Sequence, residues 1–274
     1  MSRTFSEWMR WRVQRIPRKL RFARHRALWL YRDARNALRI IWELRMQGRP
    51  VADITRYERR IGSQNGEDGV LEAIFAKIGT TNKYFVEFGS GNLHECNTGF
   101  LARWHGWRGL WMDAVYLDRR GRVRQERITA ENIEALFRKY EVPPAFDLLS
   151  IDIDGNDYWV WKAITAYRPR VVVIEYNSTI APTESKTVSY QADYMWDGST
   201  NYFGASLLAL KRLGEQKGYT LIGCESSGTN AFFVQQALVQ GRFVTGDLLT
   251  LYRPPSAFDG RGHPCELVRT MVEV

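Results

Sequence analysis

Four oxygen-bearing side chains occur in two pairs, each two residues apart: Asp152 and Asp154 in "DLLSIDIDGND", and Glu175 and Asn177 in "VVVIEYN". Residues two apart share a face in extended backbone, so each pair projects to one side where an apolar run ends. Gathering several carboxylates away from water is costly unless a cation or hydrogen-bond donors compensate them. Two chemistries satisfy that demand. Either a divalent cation sits among them, or one carboxyl has a raised pKa and acts as a base on an acceptor that Glu175 and Asn177 orient. His94, whose free imidazole titrates near neutrality, is the alternative base. Read one at a time, Asp152 or Asp154 could instead cap the helix that follows Gly155.

A second group follows another apolar run. "KYFVEFGSG" ends in Glu87, Gly89, Ser90 and Gly91, a glycine turn that brings backbone close to a ligand beside a carboxylate. The dinucleotide fingerprint has a third glycine where His94 stands, and it seats a pyrophosphate on a helix N-terminus. Glu87 would repel two phosphates. S-adenosylmethionine has no phosphate and carries an ammonium and a sulfonium, so the sign of the charge favours a methyl donor over NAD. Asp113, 24 residues beyond Gly89, stands at the separation at which an acid accepts from both ribose hydroxyls, a feature NAD proteins share.

These groups need strand ends to hold them, and the pattern supplies them. "GEDGVLEAIFAKIG" reads as a helix, "KYFVEFGSG" as a strand, "NTGFLARWHG" as a helix capped by Asn97, and "RGLWMDA" as a strand. "ITAENIEALFRKYE", "DYWVWKAIT" and "GASLLALKRLGEQKG" read as helices, and "FDLLSIDI" and "RPRVVVIEYN" as buried strands. Alternation of this kind specifies crossovers and a mainly parallel sheet covered on both faces. "YTLIGCES" and "NAFFVQ", joined by the short turn "SGT", make an antiparallel hairpin. In such a sheet ligands bind beyond the carboxyl ends of the strands, where all the residues above lie.

The 274 residues also carry an accessory segment. Of the 39 Lys and Arg, 14 lie in residues 1–50 against Glu7, Asp33 and Glu43, so that segment carries +11 while the rest of the chain carries −2. Leu20, Ala27, Leu30, Ala34, Leu38 and Ile41 recur on one helical face, and Trp8 and Trp11 mark a shorter helical piece before Pro17. Such a basic amphipathic segment packs its stripe on the main domain or on a second copy, or lies on an anionic membrane surface with Trp8, Trp11, Trp29 and Trp42 in the interface. Nucleic acid is the less favoured partner. "GRPVADITRY" reads as a linker. The expected organisation is a basic helical segment over 1–58, a main domain over 59–240, and a C-terminal extension over 241–274 that packs on it. No apolar run approaches a membrane span of roughly 20 residues, and the start has no uninterrupted apolar core for a signal peptide. Cys96, Cys224 and Cys265 cannot all pair and lack zinc spacing, which fits a cytoplasmic protein, with attachment at the inner membrane face as the role of the basic arm.

Taken in order, "SQNGEDGVLEAIF", "YFVEFGSGNLHECNT", "GWRGLWMDA", "DLLSIDIDGNDYWVW", "VVVIEYN" and "YFGASLLALKRLGEQKGYTLIGCESSGTNAFFV" resemble the FkbM-like branch of class I S-adenosylmethionine-dependent methyltransferases, over roughly residues 60–240. The resemblance implies a Rossmann-like class I methyltransferase fold: a mainly parallel seven-stranded sheet whose last strand is antiparallel. It implies O-methylation of a sugar, glycan or other natural-product hydroxyl. It places Glu87, Gly89 and Gly91 (with Ser90 between the glycines) at the methionine end of the donor, Asp113 at the ribose, and Gln64 of "SQNGED" over the donor or acceptor. The GSGN turn departs from the family in lacking a third glycine, and the adenine contact falls by position near Ile128 and Thr129. The segment 178–203, with Tyr190, Tyr194, Trp196 and Tyr202, reads as a lid whose aromatics stack on a sugar or pack on the core. Two other classes compete: an NAD-dependent oxidoreductase, and a non-catalytic methyltransferase-like adaptor that binds membrane or RNA through its basic arm.

Overall fold

The computed structural model describes residues 48–116, 120–196, 198–255 and 269–274. The basic helical segment, apart from its last residues, lies outside the described residues, as does Cys265. In chain order the elements are α1 (Glu67–Ile78), β1 (Tyr84–Phe88), α2 (Gly99–Trp104), β2 (Arg108–Asp113), β3 (Val123–Gln125), α3 (Ile133–Lys139) and β4 (Ala145–Ile151). They continue with α4 (Asp157–Ala163), β5 (Arg168–Glu175), β6 (Lys186–Thr187), α5 (Leu207–Gln216), β7 (Tyr219–Cys224), β8 (Asn230–Gln235), α6 (Leu248–Leu251) and β9 (Val272–Glu273).

One sheet has the order β3-β2-β1-β4-β5-β8-β7. Strands β3, β2, β1, β4 and β5 pair in parallel, while β8 runs antiparallel to both β5 and β7. The expected closing hairpin is therefore present, its outer strand β7 restoring the common direction. Together the order and directions are those of a Rossmann-like α/β fold.

Burial on both faces explains why β4 and β5 are apolar without alternation. Val86, Phe88, Leu149, Ile151, Val172 and Ile174 turn to the face covered by α3, α4 and α5, where Phe137, Trp161 and Leu210 complete the core. Phe85, Leu148, Val171 and Val173 turn to the other face, against Val70, Leu71 and Ile74 of α1 and Leu101 of α2. Asp147 interrupts β4 near its amino end. Its carboxylate accepts the Thr81, Asn82 and Lys83 amides and a guanidinium N–H of Arg170, tying the entry to β1 onto β4 and β5 far from the strands' carboxyl ends.

Two local expectations change, those for the linker and for the cap of α2. "GRPVADITRY" is not a free linker: Val51 bridges to Phe243 and, like Ile54, is buried in the core that α1 covers. Residues 241–255 close on the same domain, with the Tyr176 hydroxyl donating to the Arg253 carbonyl and the Tyr252 hydroxyl to the Ser178 carbonyl. Asn97 does not cap α2, which begins at Gly99 after Thr98 with no side-chain cap of its own. No helix among the described residues is long and apolar enough to cross a membrane.

Candidate active site

A cleft of about 420 Å³ opens at the carboxyl ends of β1, β2 and β4. The chain runs outward from β1 to β2 and β3, then restarts at β4 on the other side of β1, so the cleft lies at the reversal of strand order. Connections leave in opposite directions there, which opens a crevice that no crossover covers. Gln64, Gly89, Gly91, Asp113, Asp152 and Asp154 are all in its wall.

The glycine turn is required at two positions for different reasons. Gly89 has φ +67°, and the carbonyl oxygen of Asp152 lies 1.5 Å from where its Cβ would stand. Gly91 has φ +50° with nothing within 4 Å of that point, which leaves its backbone open to a ligand. The Gly91 amide donates to Asp113 Oδ2 at 2.9 Å, and Asp113 Oδ1 accepts the Val115 and Tyr116 amides at 2.9 and 2.7 Å. One carboxylate thus shapes the loops after both β1 and β2. Ser90 is buried outside the cleft wall, its amide donating to the Met112 carbonyl.

Glu87 sits outside the cleft wall as well. Its Oε1 accepts the Asn97 amide at 2.6 Å, and its Oε2 accepts the Thr98 amide at 3.2 Å and the Thr98 hydroxyl. Trp111 Nε1 donates in turn to Thr98 Oγ1 at 2.7 Å. The carboxylate therefore fixes from β1 the two residues that lead into α2. Burial lifts the Glu87 carboxyl to about 7, against the lowering effect of these donors. His94 is exposed on the loop beyond the turn, outside the cleft wall, its amide bonded to Asn92 Oδ1.

The remaining acids divide by partner. Asp157 Oδ1 and Oδ2 accept the Ile153 and Gly155 amides, both at 2.9 Å, folding the turn between β4 and α4. Burial raises its carboxyl to about 6 despite those amides. The turn acceptor is thus Asp157, which leaves Asp152 and Asp154 pointing elsewhere. One carboxylate oxygen from each of Asp152, Asp154 and Glu175 lies within 4.8 Å of the others. Burial pushes Asp152 and Glu175 well above the usual carboxylate range; Asp154 and Asp157 add to the rise at Asp152, and Asp152, Asp157 and Asp154 add to it at Glu175. Asn177 does not join them. Its Nδ2 donates to the Asn201 and Phe203 carbonyls and its Oδ1 accepts from Thr179, so a fully buried amide anchors the segment that returns over the cleft.

That segment brings Tyr194 and Trp196 to the cleft wall, while Tyr190 bonds to Glu131 and Tyr202 is buried. The ring of Tyr194 packs so closely on Gly155 that a Cβ there would meet it at 2.5 Å. "SQNGED" is folded by its own acids: Asp68 Oδ2 accepts the Ile61, Gly62 and Ser63 amides, and Glu67 bonds to the Asn65 amide and Asn230 Nδ2. Gln64, exposed between them, is left facing the cleft. Ile128 lines the cleft on the side of β3 with Glu126 and Arg127; Thr129 does not.

Asn156 was not singled out from the sequence. It lines the cleft, donates through Nδ2 to the Gln191 carbonyl at 2.7 Å, and has a buried Oδ1 without a partner. Its position directly after Gly155 in the acidic stretch was the available signal. Glu126 and Arg127 follow a strand of three residues, too short to read as periodicity.

No family model matches the chain, and no curated protein matches it.

Proposed function

We propose that the protein is an S-adenosylmethionine-dependent O-methyltransferase acting on a hydroxyl of a sugar, glycan or related natural product. The sign of the charge around the glycine turn carries this reading. Among the described residues, Asp113, Glu126, Asp152 and Asp154 line the cleft with one cation, Arg127, while Glu126 is itself paired with Lys139. The amides of Asn97 and Thr98 at the start of α2, where a pyrophosphate would be held, are already taken by Glu87. A dinucleotide therefore meets carboxylates where it needs donors, whereas a cationic nucleoside is attracted.

The wall fits such a nucleoside. Gly91 offers open backbone beside Asp113, and Ile128 offers an apolar surface for a base. A carboxylate has about four acceptor sites, and three of Asp113's are in use, so it has room for one ribose hydroxyl rather than both.

When bound, the donor supplies an electrophilic methyl group, whose C–S bond breaks with its electron pair left on sulfur as the new O–C bond forms. The chain supplies position and a destination for the hydroxyl proton. Asp152 and Asp154 line the cleft where β4 ends, and Glu175, buried outside its wall at the end of β5, stands beside them. Burial and crowding raise the proton affinity of Asp152 and Glu175, as a base for a weakly acidic alcohol needs. Tyr194 and Trp196 present rings against which a sugar face can stack.

Calorimetry with S-adenosylhomocysteine and with NAD tests the donor assignment. Binding of S-adenosylhomocysteine alone, weakened by Asp113→Ala, is the expected result. Binding of NAD without S-adenosylhomocysteine would replace this reading with the oxidoreductase.

A further inference from the structure

We infer that Asp152, Asp154 and Glu175 form a binding site for one hard divalent cation of the Mg2+, Mn2+ or Ca2+ class. In the parallel pairing of β4 with β5, Ile151 stands opposite Ile174. The next residues on the two strands, Asp152 and Glu175, therefore leave the sheet side by side, and the turn after β4 brings Asp154 to them. One oxygen from each lies within 4.8 Å of the other two. Oxygens that share an ion at about 2.1–2.5 Å stand at most about 4.2–5.0 Å apart, so the three are already at ligating separation. All are carboxylate oxygens and no His or Cys belongs to the group, which selects a hard cation over zinc.

The second observation is the state of Glu175. It is 5% exposed, and its Oε2 is buried with no hydrogen-bond partner. Elsewhere among the described residues buried carboxylates take backbone amides, although Asp68, which accepts them through Oδ2, also keeps an unpartnered buried Oδ1. Asp68 accepts three backbone amides, Asp147 three, Glu225 three, and Glu87 and Asp157 two each. Those carboxylates are compensated by donors that fold their own loops. Glu175 Oε2 has no such donor and stands beside two further acids, an arrangement that a cation compensates and that amides do not.

For its catalytic role this inference rests on the methyltransferase reading: the ion would take the acceptor hydroxyl as a ligand and lower its pKa, while a carboxylate ligating through one oxygen keeps the other for the proton. Its existence is tested without turnover. Full-length protein freed of metal by chelation is titrated with Mn2+, the free ion being followed by its electron paramagnetic resonance signal, and Mg2+ and Ca2+ are then added as competitors. One Mn2+ per chain is expected, displaced by Mg2+ or Ca2+, with binding at least tenfold weaker in Glu175→Gln and in Asp154→Asn. Asp154 is exposed, so its variant reads binding even if the buried substitution perturbs folding. Wild-type binding no stronger than that of the Asp152→Asn/Asp154→Asn/Glu175→Gln protein overturns the site. S-adenosylhomocysteine binding in the presence of chelator is measured separately and bears on the donor reading alone, so failure of either reading is recognisable by itself.

Discussion

Gly89 and Asp152 touch backbone to backbone: the carbonyl oxygen of Asp152 occupies the place of a Cβ on residue 89, 1.5 Å from where it would be. This contact joins the glycine turn after β1 to the acid-bearing turn after β4, so the proposed donor and acceptor ends of the cleft are positioned by a single close approach. Gly89→Ala must both displace that carbonyl and hold a non-glycine residue at φ +67°. The expected loss is about 2–5 kcal/mol, from left-handed strain together with overpacking. Gly91→Ala, at φ +50° with open space around it, should lose only about 1–2 kcal/mol. Urea denaturation of the two variants makes the comparison, and equal losses would remove the close approach as a constraint.

Glu87 should make stability depend on pH in an unusual direction. Its folded-state pKa of about 7 lies above the ordinary 4.5, so the native protein holds a proton that the unfolded chain releases. Stability is then lost as pH rises from about 4.5 through 7. Glu87→Gln removes this titration while the other raised acids, Glu58, Asp68, Asp152, Asp157, Glu175 and Glu225, titrate in both proteins. Between pH ~5 and ~8 the variant should gain on the wild type by on the order of 3 kcal/mol, whatever its absolute stability. Parallel pH profiles in denaturant titrations would show that Glu87 is ionised throughout.

Asp113 should matter to the ligand by about one charged hydrogen bond. Asp113→Asn keeps one acceptor oxygen but turns an amide group toward the Gly91 or the Val115 and Tyr116 amides, so both the turn and the free acceptor site are affected. Affinity for S-adenosylhomocysteine should fall about tenfold or more, the equivalent of roughly 1.5–3 kcal/mol. Calorimetry reads this directly. Unchanged affinity would move the ribose away from β2.

Asp147 should behave in the opposite way, important to folding and silent at the cleft. Asp147→Ala leaves the Arg170 guanidinium and the Thr81, Asn82 and Lys83 amides without their buried acceptor. The expected loss of stability is about 3–5 kcal/mol. The folded fraction should bind ligand as the wild type does. A change in affinity larger than the loss of folded protein accounts for would contradict the separation between the two ends of β4.

Much of the frame is legible without coordinates because it rests on local periodicity. The apolar runs of β1, β4 and β5 read as strands covered on both faces, and glycine after β1 reads as a turn, since these signals span neighbouring residues. β3 and the pair β6 and β9 escape such a reading. They contain three, two and two residues, and they exist only because β2, or a strand 85 residues away in the chain, offers a ladder to join. Thr187 and Val272 are register partners that no local pattern connects.

The amino-acid sequence by itself determined the alternating α/β order, the crowd of carboxylates at the strand ends, and the glycine turn with an acid at the end of the next strand. Only the tertiary structure decided which acids are held by donors. Glu87, Asp147 and Asp157 look no different in sequence from Asp152 and Glu175, yet the first three accept backbone amides that their own loops or distant loops deliver. The physical reason is that a carboxylate's character depends on the groups around it in space, and β4 beside β5 brings Asp152 and Glu175 together with no such donor at Glu175 Oε2.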